Sequence, residues 1–215
     1  DIVTLTNLLI GGCIPAIKKE LGVPVVVTLQ GDDIFLEELP APYQQQAIDL
    51  MQKLVPQVDG FLVNSEFYAE RMGKLLEIPA EKIHIIPLGL DTTDFKAVDS
   101  VSQASGGSLT VGYLARLAPE KGLHQLVDAF LELKQMPGME QVHLRIAGWL
   151  GEHRREYAEQ QFEKLRLAGL GDHFQYDGEV DRQGKIDFLG AIDVLSVPTV
   201  YEEPKGLFVL ESLAA

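Results

Sequence analysis

Short apolar runs alternate with longer amphipathic stretches along this sequence, and this alternation limits the folds open to it. The runs are rich in Val, Ile and Leu at nearly every position, which is typical of strands covered on both faces. We predict strands at 1–6, 23–29, 60–65, 82–87, 109–115, 142–148, 174–178 and 193–198. Helical spacing is clearest at 121–134 and 154–168. Strand followed by helix throughout predicts parallel α/β sheets.

One segment interrupts this rhythm. The stretch "DSVSQASGGS" at 99–108 is small and polar, as linkers between domains are. We therefore predict an α/β domain at 1–97, a linker at 98–107 and a second α/β domain at 108–215, and a length of 215 residues has room for two small domains. Since the chain starts at Asp1 and stops within a predicted helix, we interpret it as an internal fragment of a longer protein.

Composition excludes several classes of partner. The net charge is −14 and no basic stripe offsets it, so we expect no nucleic acid partner. The single cysteine, Cys13, leaves no internal disulfide and fits a reducing compartment, so we expect a cytoplasmic location. No apolar run approaches the roughly 18 residues that span a bilayer, so we expect no transmembrane segment and contact with a membrane only through an acceptor.

The turn after the predicted strand 109–115 contains two cations. Arg116 lies in the loop of "YLARLAPEKG", and Lys121 is predicted to begin the next helix. Ligands of open parallel sheets bind beyond the carboxyl ends of the strands, where the helix dipole also favours anions. An Arg fork and a Lys charge at that place indicate a diphosphate clamp. The alternative is an Arg116 paired with Glu120 and a Lys121 that is an ordinary surface lysine.

A second strand-to-helix turn, "YEEPKGLFVLE" at 201–211, contains carboxylates and a glycine. Gly206 permits close backbone approach, and the N–H groups of Gly206, Leu207 and Phe208 are expected to be free donors at a helix start. Glu203 and Glu211 lie eight positions apart, and a carboxylate can hold both hydroxyls of a ribose.

The alternative is structural. Glu202 and Glu203 would then cap the helix and favour its dipole, with Glu211 solvated. This alternative accounts for the charges but not for Pro204 and Lys205 in the same turn.

The two turns, "GYLARLAPEKG" and "PTVYEEPKGLFVLESLA", resemble in this order the retaining nucleotide-sugar glycosyltransferases of the GT-B fold, in the group with sucrose- and mannose-transferring enzymes. "VNSEFYAERM" and "IIPLGLDTTDF" resemble earlier passages of the same group, so the resemblance covers nearly the whole chain. It implies two Rossmann-like parallel-sheet domains facing a cleft, both incomplete in this chain.

The resemblance also implies roles for particular residues. Arg116 and Lys121 match the group's diphosphate-binding pair, and Glu203 and Glu211 match its Glu-x7-Glu motif. Glu203 is thereby the catalytic residue near the anomeric centre of the transferred sugar, and Glu211 holds the nucleotide ribose. The further donor contacts expected are backbone groups at Gly206, Leu207 and Phe208, and Val180 at the base. The "EEPKG" loop departs from the group's pattern, and its Lys205 is expected to add a third positive charge at the phosphates.

The activity implied is transfer of a hexose from a nucleoside-diphosphate sugar to an unknown acceptor, which is a sugar, a lipid-linked sugar or a small molecule, in carbohydrate biosynthesis. The acceptor attacks the face that the nucleoside diphosphate leaves, and the departing phosphate helps to take the acceptor proton. No cofactor or metal is required. Gln30 stands where many relatives have a histidine; its amide can bond a sugar hydroxyl but cannot titrate.

Other classes of function stay open. A glycosidase also uses two carboxylates, but it has no need of Arg116 and Lys121. A non-catalytic α/β module that binds a nucleotide sugar or a partner is expected to have lost at least one of the four matched side chains, and this chain has all four. Asp32 and Asp33 in "GDD" permit a metal site, although helix capping or a place on the acceptor side is favoured.

Overall fold

The computed structural model describes residues 1–95 and 109–215, which form two units, Asp1–Gly89 and Leu90–Ala215. Each unit has its own four-stranded parallel sheet. The predicted linker at 98–107 lies outside the described residues, so the domain limits stay a prediction.

The first unit has the simplest parallel arrangement, with strands in sequence order across the sheet. Its strands are β1 (Val3–Leu5), β2 (Val25–Thr28), β3 (Gly60–Val63) and β4 (Ile83–Ile85). Its helices are α1 (Ile14–Leu21), α2 (Asp32–Glu37), α3 (Tyr43–Leu54) and α4 (Glu66–Leu76). Because the strands are parallel, the loops that follow them leave from one edge of the sheet.

The second unit has a different strand order. Its strands are β5 (Thr110–Leu114), β6 (His143–Ala147), β7 (Phe174–Gly178) and β8 (Val194–Leu195). Its helices are α5 (Leu123–Leu133), α6 (Arg155–Leu167), α7 (Arg182–Gly190) and α8 (Leu207–Ala214). The order across the sheet is β7-β6-β5-β8, so β5 is an inner strand with β8 on one side.

This order brings two distant turns together. Val111 of β5 pairs with Val194 of β8, so the turns that follow these strands leave from the same edge. The backbone N–H of Val200 donates to the carbonyl of Glu120 at 3.0 Å. Gly122 permits this close approach. Its φ is +74°, and a Cβ built there would lie 1.7 Å from the carbonyl oxygen of Pro198.

Each unit is held by its own apolar core. Val27 and Phe61 are fully buried in the first unit. In the second, the predicted helical stripe of α5 packs inward, with Val127 and Phe130 buried against the sheet. Within the described part of the chain, no helix is long and apolar enough to cross a membrane.

All eight predicted strands are present, and most are shorter than the predicted runs because the terminal residues of a run leave the ladder. The prediction that Lys121 begins a helix is wrong. Lys121 is the last residue of a 3-10 turn, Pro119–Lys121, and α5 begins at Leu123, because the left-handed Gly122 separates the two.

Candidate functional site

Three side chains from the two neighbouring turns form one polar group, which we call the Lys121 cluster: Lys121, Tyr201 and Glu203. The ammonium of Lys121 lies 2.6 Å from Oε2 of Glu203, and the Tyr201 hydroxyl donates to the same oxygen at 2.6 Å. Lys121 also donates to the Tyr201 hydroxyl and lies 4.8 Å from the centroid of its ring. The Lys121 side chain is 13% exposed, so the surface-lysine alternative is wrong.

The cluster fixes the protonation of its acidic members. Burial raises the pKa of Glu203, but hydrogen bonds from Lys121 and Tyr201 outweigh it and hold that pKa below its ordinary value. Burial raises the pKa of Tyr201, and the hydrogen bond to Glu203 raises it further. At neutral pH Glu203 is therefore an anion and Tyr201 a neutral donor.

The second oxygen of Glu203 turns back onto its own loop. Oε1 accepts from the backbone N–H of Lys205 at 3.3 Å and of Gly206 at 3.4 Å. The Gly206 amide is therefore not the free donor expected from the sequence, because the carboxylate folds over it. Helix α8 begins at Leu207, and the amides of Leu207 and Phe208 in its first turn have no acceptor within the helix.

Arg116 lies on the same sheet edge but has a different partner. Its guanidinium pairs with Glu120 at 3.3 Å, as the structural alternative expected. Both side chains are substantially exposed, and such pairs contribute little to stability, so the guanidinium is available to another anion. Arg116 and Val180 also line one cavity of about 340 Å³, to which Trp149, Arg182 and Lys185 contribute.

Glu211 is buried rather than solvated, so that part of the structural alternative is wrong. It lies in the second turn of α8, and its side chain is 9% exposed. The ammonium of Lys185 on α7 contacts its Oε1. Since Lys185 also lines the cavity shared by Arg116 and Val180, it connects Glu211 to that cavity.

In the first unit, Gln30 lies at the carboxyl edge of the sheet, just after β2. Its side-chain amide donates to the carbonyl of Thr6, which follows β1, at 3.0 Å. Its backbone N–H donates to Asp32 at 3.3 Å. The amide therefore joins two loops at this edge.

The two aspartates of "GDD" have structural partners. Asp32 accepts from the backbone N–H of Leu8 at 2.8 Å, and burial raises its pKa. Asp33 accepts from the Tyr68 hydroxyl and from Nε of Arg71, each at 2.6 Å. They lie in the first turn of α2 and do not cap it, because Gly31 is the N-cap. Within residues 1–95 and 109–215, no group of three His, Cys, Asp or Glu side chains is arranged to hold a metal ion.

Comparison with known proteins adds a family to this geometry. The sequence pattern described as "Glycosyl transferases group 1" matches residues 94–215, which is more than half of the chain. The chain belongs to the glycosyl transferases group 1. The pattern described as "Glycosyltransferase Family 4" matches residues 1–94 of this group 1 chain.

Two curated relatives of this group 1 chain are similar over much of its length. Mannosylfructose-phosphate synthase of Agrobacterium fabrum is 29% identical over 141 residues, which are 62% of this chain and 31% of the relative. The uncharacterized glycosyltransferase YqgM of Bacillus subtilis is 27% identical over 202 residues, or 92% of this chain and 51% of the relative. The chain thus spans about a third to a half of these relatives.

Among solved structures, HepE of Anabaena in complex with UDP and glucose has a TM-score of 0.79 at 21% sequence identity. The similarity covers 100% of this chain and 57% of HepE. Sucrose-phosphate synthase of Thermosynechococcus elongatus has a TM-score of 0.76 at 22% identity, covering 99% of this chain and 53% of that one. The predicted GT-B fold class is confirmed.

Four of the residues at this site were not predicted from the sequence of this group 1 chain: Tyr201, Lys185, Trp149 and Arg182. A signal existed for Tyr201, because it lies two positions before Glu203 in the same turn. Lys185 and Trp149 follow β7 and β6 and thus leave from the same sheet edge, but nothing in their local sequence distinguishes them from other surface residues.

Proposed function

We propose that this chain is part of a retaining glycosyltransferase that moves a hexose from a nucleoside-diphosphate sugar to an acceptor hydroxyl. The observation that carries the proposal is the contact between Lys121 and Glu203. Residues from two turns far apart in sequence meet at 2.6 Å at the carboxyl edge of one parallel sheet, where ligands of such sheets bind. The UDP and glucose bound by HepE support the choice of donor class.

We assign the donor contacts as follows. Arg116 and Lys121 bind the diphosphate. Glu211 accepts hydrogen bonds from the ribose hydroxyls, and backbone atoms at Val180 contact the base. The shared lining of the 340 Å³ cavity by Arg116 and Val180 supports this division. Membership of a glycosyl transferase family supports the same donor class.

Glu203 is the catalytic residue in this proposal. Its anionic carboxylate stabilises the positive charge that develops on the sugar as its bond to the phosphate breaks. The acceptor oxygen forms its bond to the anomeric carbon on the face that the phosphate leaves, and the acceptor proton passes to the departing phosphate. The amides of Leu207 and Phe208 and the charge of Lys205 contact sugar hydroxyls or phosphate oxygens, and the Gly206 amide joins them once Oε1 of Glu203 releases it.

The remaining assignments concern the first unit and the setting of the reaction. Gln30 is a sugar contact, and the two domains extend over 1–97 and 108–215 with the linker between them. No cofactor is required, and the donor is the substrate itself. The single cysteine supports a cytoplasmic reaction, at a membrane only if the acceptor is lipid-linked.

The test is calorimetric binding of UDP, GDP and ADP to the intact protein and to Arg116→Ala. We expect at least one diphosphate to bind and the variant to bind it at least about tenfold more weakly, or about 1.4 kcal/mol, since one charge-assisted contact is lost. Arg166→Ala, which removes an exposed ion-paired arginine on α6, should leave the affinity unchanged. Equal affinity of wild type and Arg116→Ala would contradict the diphosphate clamp. The retaining mechanism has its own measurement, the anomeric configuration of the product, and a configuration opposite to that of the donor would contradict it.

A further inference from the structure

Lys185 joins two parts of the second unit that the proposed function uses separately. It lies on α7, and its side chain lines the 340 Å³ cavity with Arg116 and Val180. Its ammonium contacts Oε1 of Glu211 on α8. The Glu211 side chain is 9% exposed and that of Lys185 is 27% exposed, so the carboxylate is the more deeply buried partner of the pair.

The contact uses one of the two carboxylate oxygens. Within the described part of the chain, Oε2 of Glu211 takes no hydrogen bond and no ion pair. Among the same residues, Oε1 of Gln161 is the side-chain polar atom that is both fully buried and without a partner. Because Oε2 of Glu211 also has no partner but is not such an atom, it is still accessible to solvent. An unpaired carboxylate turns freely about its broad terminal torsion, whereas fixing one oxygen gives the other a direction.

We infer that Lys185 is a positioning residue of the donor site, which holds Oε1 of Glu211 so that Oε2 meets the hydroxyls of a ribose. The inference rests on the proposed function, in which Glu211 accepts from the ribose. It predicts that the preference for ribonucleoside diphosphates over their 2′-deoxy counterparts depends on Lys185. A hydrogen bond to a charged group contributes more than a neutral one, so loss of the 2′-hydroxyl lowers affinity about tenfold or more.

Two simpler roles for Lys185 give different results. If Lys185 acts only as a positive charge near the phosphates, its loss weakens ribonucleotide, deoxyribonucleotide and inorganic pyrophosphate by the same factor. If it only neutralises a buried carboxylate, its loss lowers the unfolding temperature and leaves the preference for ribose intact. A positioning role changes the ratio of the two nucleotide affinities.

The experiment is calorimetric titration of the intact protein with UDP, GDP and ADP, each beside its 2′-deoxy form. We expect wild type to prefer the ribonucleotide by about tenfold or more, and Lys185→Gln to reduce that preference to about threefold or less. Pyrophosphate affinity should change less than the ribonucleotide affinity. Lys164→Gln is the matched control, because Lys164 also pairs with a carboxylate, Asp128, but at the surface of α6.

A ribose preference that is unchanged in Lys185→Gln overturns the inference. Should that variant not fold, Glu211→Gln is compared with the double variant Lys185→Gln/Glu211→Gln, which buries no unpaired charge. A preference that falls further in the double variant contradicts the inference, because Lys185 then acts independently of Glu211. Wild type that binds none of the three diphosphates contradicts the proposed function itself. Normal diphosphate binding with an unchanged preference contradicts only the role of Lys185.

Discussion

The Oε2 atom of Glu203 receives hydrogen bonds from two kinds of side-chain donor, one charged and one neutral. The Lys121 ammonium supplies a full charge and the Tyr201 phenol a neutral O–H, both to Oε2. Burial works in the opposite direction and raises the pKa of the carboxyl. The ionised state of Glu203 is therefore a balance among burial, the Lys121 ion pair, the Tyr201 phenol and the Gly206 amide, and the ion pair and the phenol can each be removed by substitution.

Removal of the Tyr201 phenol should shift the pKa of Glu203 in a definite direction. In Tyr201→Phe one of the hydrogen bonds that lower the pKa of Glu203 is lost while burial stays, so that pKa should rise. Since the carboxylate is the active form in our proposal, the acid limb of the pH profile of kcat/KM should move to higher pH, with little change at neutral pH. The measurement is that profile for wild type and variant from about pH 3 to about pH 8, which extends below the ordinary glutamate pKa of about 4.3.

Tyr157→Phe is the control for this experiment. Its phenol interacts with His124 in the same unit and makes no contact with Glu203, so its profile should follow wild type. An acid limb that moves to lower pH in Tyr201→Phe, or by the same amount in both variants, would show that the Tyr201 hydrogen bond does not set the ionisation of Glu203.

The two neighbouring turns also meet through their backbones. Gly122, between the 3-10 turn and α5, lies against the carbonyl of Pro198, which follows β8. Lys121 precedes this glycine directly and Tyr201 follows shortly after the proline. The meeting of Lys121 with Glu203 thus depends on how closely the two elements approach.

Gly122→Ala tests this dependence. The new Cβ would lie 1.7 Å from the Pro198 oxygen, so the turns must separate. We expect a loss of about 1–2 kcal/mol from the left-handed backbone and a further loss of about 1–3 kcal/mol from the steric contact, together with weaker binding of the diphosphate. Urea unfolding and calorimetry measure the two effects.

Gly169→Ala separates the cost of the left-handed backbone from the cost of the steric contact with Pro198. Gly169 has the same φ of +74°, but a Cβ built there meets nothing within 4 Å. It should lose only the backbone contribution and bind the diphosphate as wild type does. If the two alanine variants were equally stable and bound equally well, close packing of the turns would have no part in the site.

At the scale of secondary-structure elements, the positions of the strands were predicted better than the order in which the strands pair. The strands were found because buried parallel strands are apolar at almost every position, a signal that each run contains by itself. The full order of the strands across each sheet was not predicted, since a short buried strand has no local feature that names its neighbours. The helix start was misplaced by two residues because Gly122 was not recognised as a left-handed break.

The same distinction applies to the site. Lys121 and Glu203 were predicted to share a sheet edge because both follow a strand, and that rule needs no side-chain detail. The partners Tyr201 and Lys185 were missed, because their contacts depend on which way a turn and a neighbouring helix direct long side chains. The Glu120 partner of Arg116 was expected as an alternative, since helical or turn spacing of four brings such pairs together.

At the scale of the whole molecule, each unit has a separate apolar core. Phe61 belongs to the core of Asp1–Gly89 and Phe130 to that of Leu90–Ala215. Local stability follows buried apolar contacts, so each core should govern the opening of its own strands.

A crossed pair of substitutions tests this. Phe61→Ala and Phe130→Ala each remove a fully buried ring, for which the expected cost is about 3–5 kcal/mol. Amide hydrogen exchange should quicken in β2 and β3 for the first variant and in β5 and β6 for the second. Each variant serves as the control for the other, and an equal loss of protection in both sheets from either substitution would contradict separate cores.

The pairing of Lys121 with Glu203 has a consequence for the way an anion enters. In our proposal, a diphosphate that reaches this lysine displaces or shares a carboxylate that is already paired with it. At longer range the chain, with a net charge of −14, repels the same anion, and dissolved salt screens that repulsion. Low ionic strength should therefore weaken the capture of the diphosphate rather than strengthen it.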